Sequence, residues 1–337
     1  MVPEFFADSA VAPDVAAALA ALTPCNPFRT AQYADALRAL GHSPWLLGTK
    51  DGGRLVAGCY ASLAAGRLNR TLLVASLPAV GDHDVFWSGL IPFCQVHRVT
   101  SLELDSFAGT GTHIPPLAGA MERHERFEYV LDLDGPDWER RLARKHRQSI
   151  QKARHAGVTV RRTAGADACR DHVRLMSATM ARRRARGEVV PDVDQDLTWS
   201  LLLTKMGAAE LFQAVAGADV LASAMIMRSA RGAYNQSAGT SQAGMQCGAS
   251  HFLLYEVARA LREESRVSFN LGGAEFNPGL RLFKSRFGAR AVALESASVY
   301  LGGRVRRMLT AVARSLRQSR AIILRRAIPR SPARDQA

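Results

Sequence analysis

Asn270-Leu271-Gly272-Gly273-Ala274-Glu275-Phe276-Asn277-Pro278-Gly279-Leu280-Arg281-Leu282-Phe283-Lys284-Ser285-Arg286-Phe287-Gly288 is the stretch on which the fold turns. A β-rich segment from Val267 to Leu271 enters a glycine pair, then a Pro-Gly turn, then a short segment carrying Lys284 between phenylalanines. Paired glycines admit backbone conformations and close approaches that a side chain blocks. Phe283 and Phe287 stand four apart, on one face of a helical turn, so they anchor it while Lys284 points elsewhere. Two readings are open. Lys284 is a cation held beside a strand end, where it neutralises a phosphate or a developing oxyanion, or it is a solvated lysine on an amphipathic helix.

Outward from this run, the chain reads as two similar halves. The first offers helix Thr30–Leu40, strands near Pro44–Gly48, Arg54–Leu63 and Thr71–Leu77, helix Val85–Val96, and strands Thr100–Leu104 and Phe127–Leu133. The second offers helices at Pro136–His155, Ala166–Arg184 and Gln195–Met206, then strands near Ala209–Ala216, Val220–Arg228 and Gly232–Ser237. Helix Ala249–Glu263 and strands Arg266–Leu271 and Ala289–Ser296 complete it. Each half is an antiparallel meander feeding one βαβ crossover, a mixed α/β arrangement. Asp51 to Gly58 and Ala216 to Ser223 both read as a turn entering an apolar strand.

A chain of 337 residues buries a large core and divides into two domains. No apolar run reaches the roughly 20 residues of a membrane span. The first basic side chain is Arg29, so the charged start of a secretory signal is missing and a cytoplasmic protein is expected. Five widely spaced cysteines without a CxxC read as reduced, mostly buried thiols. The histidines show no metal-ligand spacing, and no metal is expected. Asp192, Asp194 and Asp196 mimic the start of a calcium loop, but Leu197 replaces the required glycine, so they read as a helix N-terminus. The net charge of +14 is localised. Residues 301–337 hold ten arginines against one aspartate, and 139–162 hold nine Lys/Arg against one glutamate. Anionic partners follow: phosphates, RNA or a membrane face.

The Asn270–Gly288 run resembles the C-terminal signature of FemAB-like acyltransferases, a branch of the GNAT (acyl-CoA N-acyltransferase) superfamily. Asn26-Pro27-Phe28 is similar to the opening motif of that family, and Arg141 to Val158 to its basic helix. Tyr234-Asn235-Gln236-Ser237-Ala238-Gly239, followed by Phe252 to Glu256, is similar to its strand-then-helix core. Asn270 stands where the pattern more often carries an aspartate. The resemblance implies tandem GNAT-like domains, at 1–135 and 136–300, followed by a basic amphipathic helical tail at 301–337. It implies direct transfer of an acyl or aminoacyl group to an amine of a cell-envelope or related metabolite. Lys284 is then the catalytic cation and Glu275 the base. Tyr234, Asn235, Ser237, Gly272 and Gly273 line the acceptor cleft, with Asn235 and Ser237 on one face of their strand by simple alternation.

The donor implied is an acyl-CoA or an aminoacyl-tRNA, held by Gly244, Gly248, Ala249 and Ser250 at the start of helix Ala249–Glu263, where backbone N–H groups suit phosphates. No nucleophile–histidine pairing is readable, which speaks against a covalent intermediate. The partners implied are a small-molecule or envelope-precursor amine and tRNA. The stripe of Val305, Met308, Leu309, Val312, Leu316 and Ile323 adds a peripheral contact with the inner membrane face through residues 303–328. A different class is also open: a non-catalytic basic module that binds RNA or anionic membrane.

Overall fold

The computed structural model describes residues 2–65, 69–107, 113–135, 137–188, 190, 193–274 and 277–303. The tail beyond 303, with its expected membrane stripe, lies outside the described residues. After β1 (Glu4–Asp8) come two helices, α1 (Pro13–Leu22) and α2 (Ala31–Ala39), then β2 (Ser43–Asp51), β3 (Arg54–Ala65) and β4 (Arg70–Val74). β1 to β4 form an antiparallel meander. Helix α3 (Val85–Val96) crosses over and returns β5 (Ser101–Asp105) parallel to β4, and β6 (Ala120–Asp132) follows.

The second half repeats the plan. It opens with α4 (Arg144–His155), β7 (Thr159–Thr163), α5 (Ala166–Ala185) and α6 (Thr198–Lys205). The strands β8 (Ala209–Ala216), β9 (Asp219–Arg228) and β10 (Gly232–Thr240) extend β7 as a meander. Then α7 (Gln242–Cys247) and α8 (Ala249–Glu263) return β11 (Ser268–Gly273) parallel to β10. Helix α9 (Pro278–Arg286) and β12 (Arg290–Tyr300) end the described chain. This is the mixed α/β, tandem GNAT-like plan expected from sequence.

The last strands of the two halves are exchanged. β6 lies antiparallel on β11, while β12 lies antiparallel on β5. β6 and β12 also pair with each other, from Ala120↔Tyr300 to Val130↔Arg290. One 12-stranded sheet results. Sequence reading places the start of β6 at Phe127, because Glu122 to Glu125 are exposed and show no apolar alternation. The expected helix from Pro136 to His155 is interrupted. A 3₁₀ turn, Trp138–Arg141, precedes α4, and Leu142 between them is extended. Buried Trp138 and Leu142 anchor the break, and the Ala143 N–H donates to the Arg286 carbonyl at the end of α9 (2.8 Å).

The Asn-Pro-Phe turn locks the halves together at the future site. Buried Asn26 accepts from the Phe28 N–H (3.1 Å) and donates to Ser76 Oγ (2.6 Å). Thr30 then caps α2 by accepting from the Tyr33 N–H. Phe28 thereby meets Tyr234 of the second half, with ring centroids 5.4 Å apart. Asn26→Ala removes both bonds, and the expected cost is about 1–2 kcal/mol. Urea unfolding checks this; an unchanged midpoint would mean that Arg29, bonded to the Leu77 carbonyl, holds the turn alone.

Candidate active site

β10 and β11 are hydrogen-bonded over a short register, Gly232↔Ser268 to Tyr234↔Asn270. Past Tyr234 they part, β10 staying on β9 and β11 turning onto β6. A β-bulge at Gln236 sits at this opening: Asn235 pairs with Ile226 and Ser237 with Met225. The extra residue resets the alternation. Tyr234 and Ser237 therefore share the face of α5, and Asn235 takes the opposite face, correcting the expectation that Asn235 and Ser237 lie together. Ser237 Oγ is 2.8 Å from Nε2 of His172, whose other nitrogen is 3.0 Å from Ser223 Oγ. Burial pushes the pKa of that histidine down to about 4, so a neutral ring cross-links α5 to the sheet. The side-chain oxygen of Asn235 is buried with no hydrogen-bond partner among the described residues.

Lys284 is not solvated. On α9, which Asn277 caps by accepting from the Leu280 N–H (2.7 Å), Phe283 and Phe287 pack on His146 of α4, and Phe283 also on His251 of α8. That anchoring turns Lys284 inward, where it is 6% exposed and donates to the Gly273 carbonyl at 2.5 Å. Burial pushes its pKa down to about 8, against the opposing pull of Glu128. Gly272 has φ +76°, and a Cβ there would lie 3.8 Å from Lys284 Nζ, 3.8 Å from Tyr234 Oη and 3.4 Å from the Asn235 carbonyl. An ammonium and a phenol thus flank one point at the mouth of the strand opening.

The exchanged strand β6 supplies the floor. Glu128, 2% exposed, accepts from Arg126 Nη1 (2.6 Å) and from Asn270 Nδ2 (2.6 Å), and Asn270 Oδ1 accepts from the Gly272 N–H (2.8 Å). An aspartate at 270 would set a second carboxylate against Glu128; the amide donates instead. Arg126 also donates to Ser296 Oγ (2.9 Å) and the Ser106 carbonyl and lies 3.6 Å from Asp105. Above this network a cavity of about 610 Å³ opens between the halves, lined by Phe28, Tyr33, Trp199, Tyr234 and the carboxylates of Asp105, Asp194 and Asp196 among others. Asp196 accepts from the Thr198 N–H (2.9 Å) in a turn that leads into α6, whose N-cap residue is Leu197.

The expected donor residues lie on the other side of the opening. Gly244 donates to Ser241 Oγ (3.0 Å), and a Cβ at Gly244 would collide with the Leu221 carbonyl. Gly248 (φ +83°) ends α7 and starts α8, and a Cβ there would strike the Ser149 carbonyl of α4. Ala249 is fully buried and Ser250 half-buried. Both glycines thus serve close backbone packing, and the start of α8 rests on α4. An open groove along α4 carries Arg144, Arg147 and Lys152. Glu275, expected as the base, lies outside the described residues. Sequence reading missed Asp105, Arg126, Glu128 and Trp199. Charged residues two apart at the apolar end of a strand, Arg126 and Glu128, were the available signal.

Residues 140–277 match the family model for an acetyltransferase (GNAT) domain. The crystal structure of FemX shares 12% identity and superposes with a TM-score of 0.63, over 86% of this chain and 96% of that one. Residues 140–277 therefore carry a GNAT acetyltransferase domain, in a fold that FemX shares. Two further structures share the architecture of this acyltransferase. A tandem GNAT protein from the clavulanic acid biosynthesis pathway is 14% identical, with a TM-score of 0.55 over 90% of this chain and 99% of that one. L-PGS from Bacillus licheniformis is 14% identical, with a TM-score of 0.53 over 90% and 96%. A search of curated proteins found no match. Among the described residues, no helix of the acyltransferase is long and apolar enough to cross a membrane.

Proposed function

We propose that this acyltransferase moves an acyl or aminoacyl group directly from a phosphate-bearing donor to an amine seated in the cavity between the halves. The observation that carries this reading is the convergence of Lys284 Nζ and Tyr234 Oη on the space above Gly272, at the mouth of the β10–β11 opening. A neutral amine attacks the donor carbonyl, and the carbonyl electrons move onto oxygen as the N–C bond forms. Preorganised donors at that oxygen stabilise it more than the ground-state carbonyl. Collapse then expels the donor's sulfur or ribose oxygen, and the amine's proton leaves to a base. Glu275 remains the proposed base, and Gly273 serves by fixing Lys284 through its carbonyl.

The α4 groove favours aminoacyl-tRNA as the donor. Its arginines and lysine face solvent beside the start of α8, while the glycines expected to cradle a pyrophosphate are packed against backbone. A polyanion tracking Arg144, Arg147 and Lys152 reaches the strand opening past Ser149 and Ser250. An envelope precursor bearing a free amine is the acceptor class of this reading.

Filter binding with charged tRNA, and calorimetry with coenzyme A, test the donor. Each phosphate deprived of its basic partner reduces the slope of log affinity against log salt by about one. The triple variant Arg144→Ala, Arg147→Ala, Lys152→Ala is therefore expected to flatten the tRNA slope by about three. Tight coenzyme A binding with no tRNA binding would make the donor an acyl-CoA.

A further inference from the structure

We infer that the acceptor carries a second positive charge remote from the reacting amine, as an aliphatic diamine does. The inference rests on the proposed amine transfer and adds the chemistry of the far end of the same cavity. In a chain of net charge +14, this cavity is acidic: Asp105, Glu128, Asp194 and Asp196 line it against Arg126 alone among lysines and arginines. Glu128 and Arg126 neutralise each other at 2.6 Å. Asp194 and Asp196 each use Oδ1 to accept backbone N–H groups, of Asp196 at 3.0 Å and of Thr198 at 2.9 Å, and no partner for either Oδ2 occurs among the described residues. These turn bonds leave a negative charge at the cavity rim.

A second observation is independent of the acids. Tyr33 is 6% exposed and lines the cavity, and its hydroxyl has no hydrogen-bond partner among the described residues. An ammonium N–H entering the cavity can donate to that phenol oxygen. The rings around it fit the same ligand. Tyr33 stands edge-on to Phe28 (5.3 Å between centroids) and to Trp199 (6.4 Å), forming an aromatic wall beside the carboxylates. Aromatic faces and carboxylates together select an alkyl ammonium, whose stem is apolar and whose head is cationic. The same groups repel an acceptor whose far end is anionic.

Three probes of one length separate the possibilities in calorimetry on the full chain without donor: cadaverine, pentylamine and 5-aminopentanoate. One ion pair and one cation–π contact together make cadaverine bind about tenfold more tightly than pentylamine. 5-Aminopentanoate is expected not to bind over the same concentrations. The double variant Asp194→Asn, Asp196→Asn keeps the Oδ1 acceptors of the turns before α6, and it is expected to bring cadaverine to the pentylamine level. Circular dichroism melts check that this variant stays folded, and Trp199→Leu, which leaves those turns intact, is expected to weaken cadaverine several-fold. Equal binding of cadaverine and pentylamine, binding of 5-aminopentanoate, or full cadaverine affinity in both variants would overturn the inference. Lys284→Met is expected to keep cadaverine binding, so lost transfer in that variant bears on the reaction and not on the charge of the acceptor.

Discussion

Lys284→Met is expected to lower turnover about a hundredfold while leaving the melting temperature nearly unchanged. Removing one donor to a developing oxyanion costs about 3 kcal/mol of transition-state stabilisation. Stability is balanced by two opposed effects. A lysine whose pKa falls from 10.5 to about 8 through burial disfavours the folded state by about 3 kcal/mol at neutral pH, and methionine lifts that penalty. Against this, the Gly273 carbonyl loses its partner, at about 1–3 kcal/mol. The pH dependence has a definite sign. The folded pKa lies below the unfolded one, so the penalty is fully present below pH 8 and is lifted as pH rises from there to 10.5. Turnover runs the other way, falling as the ammonium deprotonates above about pH 8. Rate and stability profiles that moved in the same direction across that window would remove Lys284 from the reaction.

Glu128→Ala should unfold the protein more readily than any surface change. It leaves Arg126, 17% exposed, and Asn270, 2% exposed, without the carboxylate that joins them. Breaking a buried charge pair from one side costs about 3–5 kcal/mol. Glu128→Gln keeps the shape and one acceptor and is expected to cost less. Urea midpoints measure both, and a midpoint for the alanine variant within error of wild type would mean that the network contributes nothing to the fold.

Much of the architecture was legible because its signals are local. Helix Val85–Val96 and strand Ala209–Ala216 carry unbroken apolar periodicity, and both occur at the predicted boundaries. The Phe283–Phe287 spacing marked the anchored face of α9 but left open whether Lys284 is solvated or held inward, as it is. The bulge at Gln236 was not, since one inserted residue leaves no mark on composition. Nor was the cavity: Asp105, Arg126 and Trp199 are remote in sequence and meet only because β6 and β12 change places. The resemblance to FemAB-like proteins marked the strand-helix core around Tyr234 but carried no information on the partners that β6 brings to it.

The exchange of β6 and β12 also imposes an order on biogenesis. During synthesis the first half emerges with the edge of β5 open, because Ser296 of its partner strand follows Asp105 by 191 residues. An unpaired edge is a template for pairing with other chains, and contacts of high sequence separation form slowly. The ribosome therefore has to make residues 290–300 before either half can close its sheet. Neither half can be cut away as an autonomous module, and the floor of the candidate site at Glu128 becomes complete only when β6 has met β11 and β12.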